Sequence, residues 1–216
     1  MDKNFLALNN DQLDQQVAQW ISEDKMRAHA LCLCAYLFEQ QGIRDWYIAA
    51  GFVRNLIWDK LHQIEHSPLN DIDVIYYQNT QTDAQQDKLF EQDLKRRITL
   101  PFSVKNQARM HSRNGDKPYQ SCIDAMKWWP EKQTAVAVKL SDIDTDYVHR
   151  IWHSTTPHFE DVSPMLLSNI TVKAAFGLRC LFDYSLTHNP KRSHQLFIQR
   201  VNSKGWLDRY PMLHIK

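Results

Sequence analysis

Glycine is scarce in this chain, five among 216 residues, and no stretch is of low complexity, which argues against a flexible linker or internal repeats. Cysteine is scarce too. Cys32, Cys34, Cys122 and Cys180 show no Cys-x-x-Cys spacing, and the chain is not a short secreted scaffold. Free thiols in a reducing, cytoplasmic compartment are therefore expected. No run approaches about 18 apolar residues, so neither a transmembrane helix nor a membrane partner is expected. The opening MDKNFLALNNDQLDQQ lacks a cationic start followed by an apolar core, so no signal peptide is indicated. Charge of one sign is lacking as well: Lys+Arg 26 against Asp+Glu 25 leaves +1. A whole-molecule preference for polyanions is thereby excluded, and only local basic patches remain.

What is present suffices for a sizeable core. At 43% hydrophobic and 24% charged, the composition is that of an ordinary globular protein, with one core or one core plus a small helical unit. Residues 11–41 read as helix in two segments broken near Ser22, and Gly42 suits the position just past the end. Cys32 and Cys34 on this segment read as packing residues. Residues 80–98 read as a helix capped by Thr80 or Thr82, with Leu89, Phe90, Leu94 and Ile98 as its apolar stripe. Residues 102–110 read as a strand, HSRNGDKPY as a loop, 121–129 as a short helix and 134–140 as a strand. Residues 147–153 read as a further strand. Residues 154–170, with Pro157 and Pro164, fit no element and read as an excursion over the sheet edge. Asn189-Pro190 suit the start of the last helix, which Gly205 stops.

The chain is organised around WYIAAGFVRNLIWDKL and SPLNDIDVIYY, which read as strand, glycine turn, helix, loop and strand. In the second strand Asp71 and Asp73 alternate with Ile72, Val74 and Tyr76. Strand residues two apart share a face, with Cα atoms roughly 6.5–7 Å apart. Two acids so placed repel each other unless a cation lies between them. Mg²⁺, or Mn²⁺, suits such a pair, being held by one or two carboxylates plus substrate phosphates. Alternating acids also occur at sheet edges for solubility, a reading that needs no metal. Gly51 falls between an apolar run and a helical run, where free N–H groups and the helix dipole favour phosphate; Gly51 and Phe52 are the candidate cradle. Arg54 in that first turn opposes the dipole, which calls for a partner, either an acid such as Asp71 or a substrate phosphate. Asn70 serves as a loop residue or as an orienter of the acids.

Lys105, Arg109, Arg113 and Lys117 form a basic patch that is either solvated surface or a triphosphate clamp. His111 is a general-base candidate or a structural hydrogen-bonder. Trp128-Trp129 either stack a base or join the core. The tryptophans at 46, 58, 152 and 206 read as core.

The glycine turn followed by Asp-x-Asp resembles the nucleotidyltransferase superfamily that includes DNA polymerase β. AGFVRNLIWDKLH, NDIDVIYY, VKNQARMH and GWLDRYPML are similar to a bacterial nucleotidyltransferase-like family of unsettled biochemical role. The resemblance covers most of the chain from about residue 46. It implies an α/β (α+β) fold: a small mixed sheet with packed helices, one nucleotidyltransferase-like domain over 1–216, and an N-terminal helical segment over 1–42. It implies transfer of a nucleoside monophosphate from a nucleoside triphosphate to an acceptor that is a small molecule, a protein or RNA. Asp71 and Asp73 then hold the metal, while Gly51, Phe52, Arg54, Lys105 and Arg109 bind the nucleotide. Two departures are visible. The superfamily usually has Gly-Ser or Gly-Gly where this chain has Gly51-Phe52, and it has a third carboxylate on a later strand. The strand at 102–110 offers only Asn106 and Gln107, neither of which accepts a proton at neutral pH. Asp124 in SCIDAMKWW is the expected third catalytic carboxylate, ahead of Asp116; its alternative is capping or ion pairing. If neither Asp124 nor another acid reaches the pair, a catalytically inactive nucleotide-binding or regulatory module becomes the better reading.

Overall fold

Five strands form the sheet that positions everything else, in the order β3-β2-β1-β4-β5. The computed structural model describes residues 5–65, 67–142, 144–154 and 168–216. In chain order the elements are α1 (Asn10–Glu23), α2 (Lys25–Gln40), β1 (Trp46–Ala49), α3 (Gly51–His62), β2 (Ile72–Tyr76), α4 (Ala84–Arg97) and β3 (Phe102–Asn106). There follow α5 (Gln107–Asn114), α6 (Cys122–Met126), β4 (Val136–Leu140), α7 (Thr145–His153) and β5 (Ile170–Ala174). The chain closes with α8 (Arg179–Phe182), β6 (Ser185–Leu186), α9 (His194–Lys204), α10 (Trp206–Arg209) and β7 (His214–Ile215). β2 and β3 run parallel, while β1 is antiparallel to β2 and β4, and β4 to β5. The fold is the expected mixed α/β arrangement with N-terminal helices.

The two sheet faces are unequal because the strand sequences are. Ile72, Val74 and Tyr76 of β2, Ile48 of β1, and Val136 and Val138 of β4 enter a large core shared with α1, α2, α3 and α4. Each fully buried aliphatic or aromatic side chain there contributes about 1.5–3 kcal/mol of hydrophobic stabilisation. The opposite face carries a small cluster of Tyr47, Ala49, Ile75, Ala135 and Ala137, covered by Cys122 and Met126 of α6. That face is only partly covered, and the site opens on it. Trp46, Trp58, Trp152 and Trp206 are buried as expected, and Cys32 and Cys34 are buried free thiols.

Several element boundaries differ from the sequence reading, each for a local reason. The helical break lies at Asp24 and not at Ser22: Asp24 ends α1 and its side chain accepts from the Arg27 N–H to cap α2. Asp83, not a threonine, caps α4. The strand expected over 102–110 stops at Asn106, whose side chain caps α5, so the rest of that strand and the start of the expected loop, through Asn114, are helix. Residues 147–153 form α7 rather than a strand, because Val148, Ile151 and Trp152 recur at helical spacing on its buried side. β5 lies where no element was assigned, and most of the expected 154–170 excursion falls outside the described residues. The helix expected from Asn189-Pro190 begins at His194 with Ser193 as its cap, since Asn189 is engaged elsewhere, and a further short helix, α10, follows Gly205.

Candidate functional site

Asp71 immediately precedes β2, and Asp73 is its second residue. With Ile72 and Val74 in the large core, strand alternation turns Asp73 to the open face. Two adjoining clefts meet there, of about 420 and 260 Å³, and Ala50, Asp71, Asp73, Thr134, Arg200 and Lys204 line both. The sheet register explains the opening. Asp73 is flanked by Ser103 on β3 and Ala49 on β1, with Ala137 beyond on β4, so small side chains leave the space over the carboxylate free. Burial, and secondly the Asp71 carboxylate, push the Asp73 carboxyl up to about 6, against the pull of Arg54, Lys204 and Arg200. A carboxylate penalised in its charged form beside a second acid fits a divalent cation. Among the described residues no group of three or more His, Cys, Asp or Glu is placed for a metal. A cation here therefore needs water and phosphate oxygens to complete its shell.

The turn between β1 and α3 places its strain one residue earlier than the glycine. Ala50 has φ 55 and ψ −121, a conformation glycine adopts freely and other residues rarely. It is held there by donating its N–H to the Val136 carbonyl at 2.9 Å. The N–H groups of Val53 and Arg54 both reach the Ala50 carbonyl, and no side chain caps α3. Among the described residues no protein acceptor meets the Gly51 and Phe52 N–H groups; Gly51 lines the smaller cleft, whereas Phe52 is fully buried and lines neither. A Cβ on Gly51 would come no closer than 3.4 Å to the Asn55 side chain, so glycine there keeps cleft space open rather than relieving a clash. The Phe52 ring is core, and its carbonyl accepts from Arg27 Nε at 2.8 Å. Ala50→Gly should stabilise the fold by about 1 kcal/mol, strain relief exceeding the entropy cost of glycine. Urea unfolding checks this; a lower midpoint would show an unstrained turn.

Among the described residues Arg54 makes no ion pair with Asp71 or another acid, and it lines the smaller cleft. Its guanidinium donates to Asn55 Oδ1 at 2.8 Å and Thr134 Oγ1 at 3.5 Å, and lies 5.1 and 4.5 Å from the ring centroids of Trp58 and Trp206. Burial draws its pKa down to about 10, opposed first by Glu131. It serves as a fixed positive charge behind Asp73. Lys105, on β3 opposite Ile75, does line the larger cleft. Arg109 does not. It sits on α5 and pairs with buried Asp87, which also accepts from the Tyr76 hydroxyl at 2.8 Å and the Asn106 N–H at 3.2 Å. Arg109→Ala should cost about 2–3 kcal/mol, because two neutral donors remain on Asp87. Calorimetry should meanwhile find nucleotide affinity unchanged; a selective affinity loss would return Arg109 to the site.

Arg113 and Lys117 likewise lie outside the residues that line the clefts. His111 is a structural hydrogen-bonder, meeting the Ala108 carbonyl at 2.9 Å and Ser112 Oγ at 3.1 Å. Asp124 is not the third carboxylate. It accepts from the Gln120 N–H at 3.1 Å, lies 4.0 Å from Lys127 and lines neither cleft. Asp116 is spent on Arg192 and Tyr119. Among the described residues, Asp71 and Asp73 are the only carboxylates lining the clefts.

Sequence reasoning missed the cations from the far end of the chain. Arg200 and Lys204 of α9 line both clefts, and Arg192 lines the larger one. Arg200 also pairs with Glu131, which is fully buried and accepts from Thr134 Oγ1 at 2.6 Å. The available signal was an arginine within the apolar stripe of Leu196, Phe197 and Val201. Trp128 and Trp129 are half-buried and line the larger cleft, so neither is a core residue.

A family model described as nucleotidyltransferase matches residues 37–215. A solved structure described as a CCA-adding enzyme head domain is 23% identical, with a TM-score of 0.68 over 94% of this chain and 95% of that one. A tRNA-processing enzyme complex is 16% identical, with a TM-score of 0.50, covering 84% of this chain and 42% of that one. No curated protein matches the sequence. At these identities the two structures carry the fold.

Proposed function

The chain belongs to this nucleotidyltransferase family, and on that premise we propose that it transfers a nucleoside monophosphate from a nucleoside triphosphate to an acceptor hydroxyl. The observation that carries the proposal is the Asp71–Asp73 pair facing an open cleft ringed by Lys105, Arg200 and Lys204. Asp71 and Asp73 would hold Mg²⁺ or Mn²⁺, which supplies charge neutralisation on the phosphate oxygens during in-line attack. The Gly51 N–H, on the wall of the smaller cleft, binds a terminal phosphate oxygen at the helix N-terminus. Lys204, which makes no ion pair among the described residues, and Lys105 orient the triphosphate from the opposite walls. Arg54 and Arg200, both already hydrogen-bonded, favour the charged Asp73 carboxylate against its burial.

One observation favours a second reading, a catalytically inactive nucleotide-binding module. Among the described residues the cleft offers no third carboxylate to take the acceptor proton, and Asp124 lines neither cleft. The cleft geometry supports the nucleotide- and metal-binding part of this reading, and family membership supports transfer. The acceptor is a small molecule, a protein or RNA. No helix among the described residues is long and apolar enough to cross a membrane.

Pyrophosphate release separates the readings. With Mg²⁺ or Mn²⁺ present, each nucleoside triphosphate is offered with small-molecule, protein and RNA fractions as acceptors. Release in any fraction, lost on Asp73→Asn, is the expected result. Tight nucleotide binding with no release in every fraction would establish the binding module.

A further inference from the structure

We infer that Trp128 and Trp129 form a nucleobase subsite, so that the cleft recognises a nucleotide by its base as well as its phosphates; this rests on the nucleotide reading above. The loop carrying them is held with unusual completeness. Asn189 Nδ2 donates to the Lys127 and Trp129 carbonyls at 2.9 and 2.7 Å, and the Asn189 N–H to the Pro130 carbonyl at 2.9 Å. Arg192 Nε takes the remaining carbonyl, that of Trp128, while its two terminal nitrogens grip Asp116. All four carbonyls from 127 to 130 are therefore fixed by Asn189 and Arg192, and Asn189 is itself buried. Lys191 Nζ lies 4.3 Å from the Trp128 ring centroid, and Trp129 packs on the Ala49–Ala137 cluster. Two indoles left half-exposed on a pinned loop are a preorganised aromatic surface, which lowers the entropy cost of stacking a planar ring.

The occupant follows from continuity with the acid pair. Ser103 sits beside Asp73 in the β2–β3 register, Lys105 lies two residues on, about 6.6 Å along the strand, and α5 then contributes Gln107, Met110 and Asn114. One cleft of about 420 Å³ thus combines carboxylates and cations with an apolar, aromatic wall. That is the amphipathic character of a nucleoside triphosphate, and the volume falls within the range of small-ligand sites. Aromatic stacking accepts any base, so the surface provides affinity rather than a choice among bases.

The test compares Mg²⁺–ATP and Mg²⁺–CTP with Mg²⁺–tripolyphosphate, which offers the phosphates without a base, by calorimetry on the full chain. Trp128→Ala and the milder Trp129→Leu are the variants, with circular dichroism melts confirming that each folds. The expected result is a fall of about 5- to 100-fold in nucleotide affinity in at least one variant, with tripolyphosphate affinity unchanged. Wild-type nucleotide affinity in both variants would overturn the subsite while leaving the phosphate and metal assignment standing. So would an equal loss of tripolyphosphate affinity, which would mark the indoles as scaffold. If the wild-type chain bound neither tripolyphosphate nor nucleotide, the proposed function itself would fall, and the subsite with it.

Discussion

Replacing Asp71 and Asp73 together by asparagine should abolish divalent-cation binding and lower any transfer rate by about a thousandfold or more, while the fold survives. Asp73 on β2 and Asp71 just before it line both clefts, and no other cleft carboxylate among the described residues can substitute for the pair. Titrating Mn²⁺ into wild type and double variant reads this directly; unchanged binding in the variant would place the metal elsewhere. A second readout comes from pH. In the metal-free protein the Asp73 carboxyl is raised to about 6 from its ordinary 3.8. A raised carboxyl favours the folded state most when protonated, so its contribution is complete below the unfolded value and is lost as pH rises to about 6. With the metal chelated, wild type should therefore lose stability across that window, and Asp73→Asn should show a shallower slope. Equal slopes would mean that the carboxyl is not strained by burial and by Asp71.

The second large effect is expected at Arg200. Glu131 is fully buried and is held by Arg200 Nε at 2.6 Å and the Thr134 hydroxyl at 2.6 Å. Arg200→Leu strands that carboxylate with one neutral donor, a loss of about 3–5 kcal/mol. Replacing both, Arg200→Leu with Glu131→Leu, should recover most of it, because the charge needing compensation is gone. Urea denaturation of the two single variants and the pair closes the cycle. A cost below about 1 kcal/mol for Arg200→Leu, the range of an exposed ion pair, would contradict the buried pair. Since Arg200 also lines both clefts, the two variants lacking it should weaken nucleotide binding more than their residual unfolding explains.

The centre of the site was legible because its determinants are local. β1, α3 and β2 announce themselves by periodicity, and the shared face of Asp71 and Asp73 follows from strand alternation alone. The turn was half legible: glycine marked it, yet the positive φ falls on Ala50, fixed by a hydrogen bond to Val136 far along the chain. Arg109 was misplaced because Asn106 ends β3 early. Its side chain bonds the Gln78 and Gln81 carbonyls as well as the Ala108 N–H, a set of partners that no window around residue 106 contains. YVHRIW satisfies a short alternating pattern and a helical one alike, and packing against α2 decides for the helix. The expected third acid, Asp124, is turned away by its own helix start. Arg192, Arg200 and Lys204 reach the cleft only through tertiary docking of α9, which local pattern does not encode.

The most direct test of the account is a single calorimetric series: nucleoside triphosphate titrated into the full chain with Mg²⁺, and again with the metal chelated. An acid pair holding the cation that meets the phosphates predicts saturable binding with Mg²⁺ and its loss, by tenfold or more in affinity, without it. Two carboxylates facing a triphosphate with no cation between them repel it, so the metal-free arm has a definite sign. Equal affinity in both arms, or no binding in either, would contradict the claim that Asp71 and Asp73 make this cleft a metal-dependent nucleotide site.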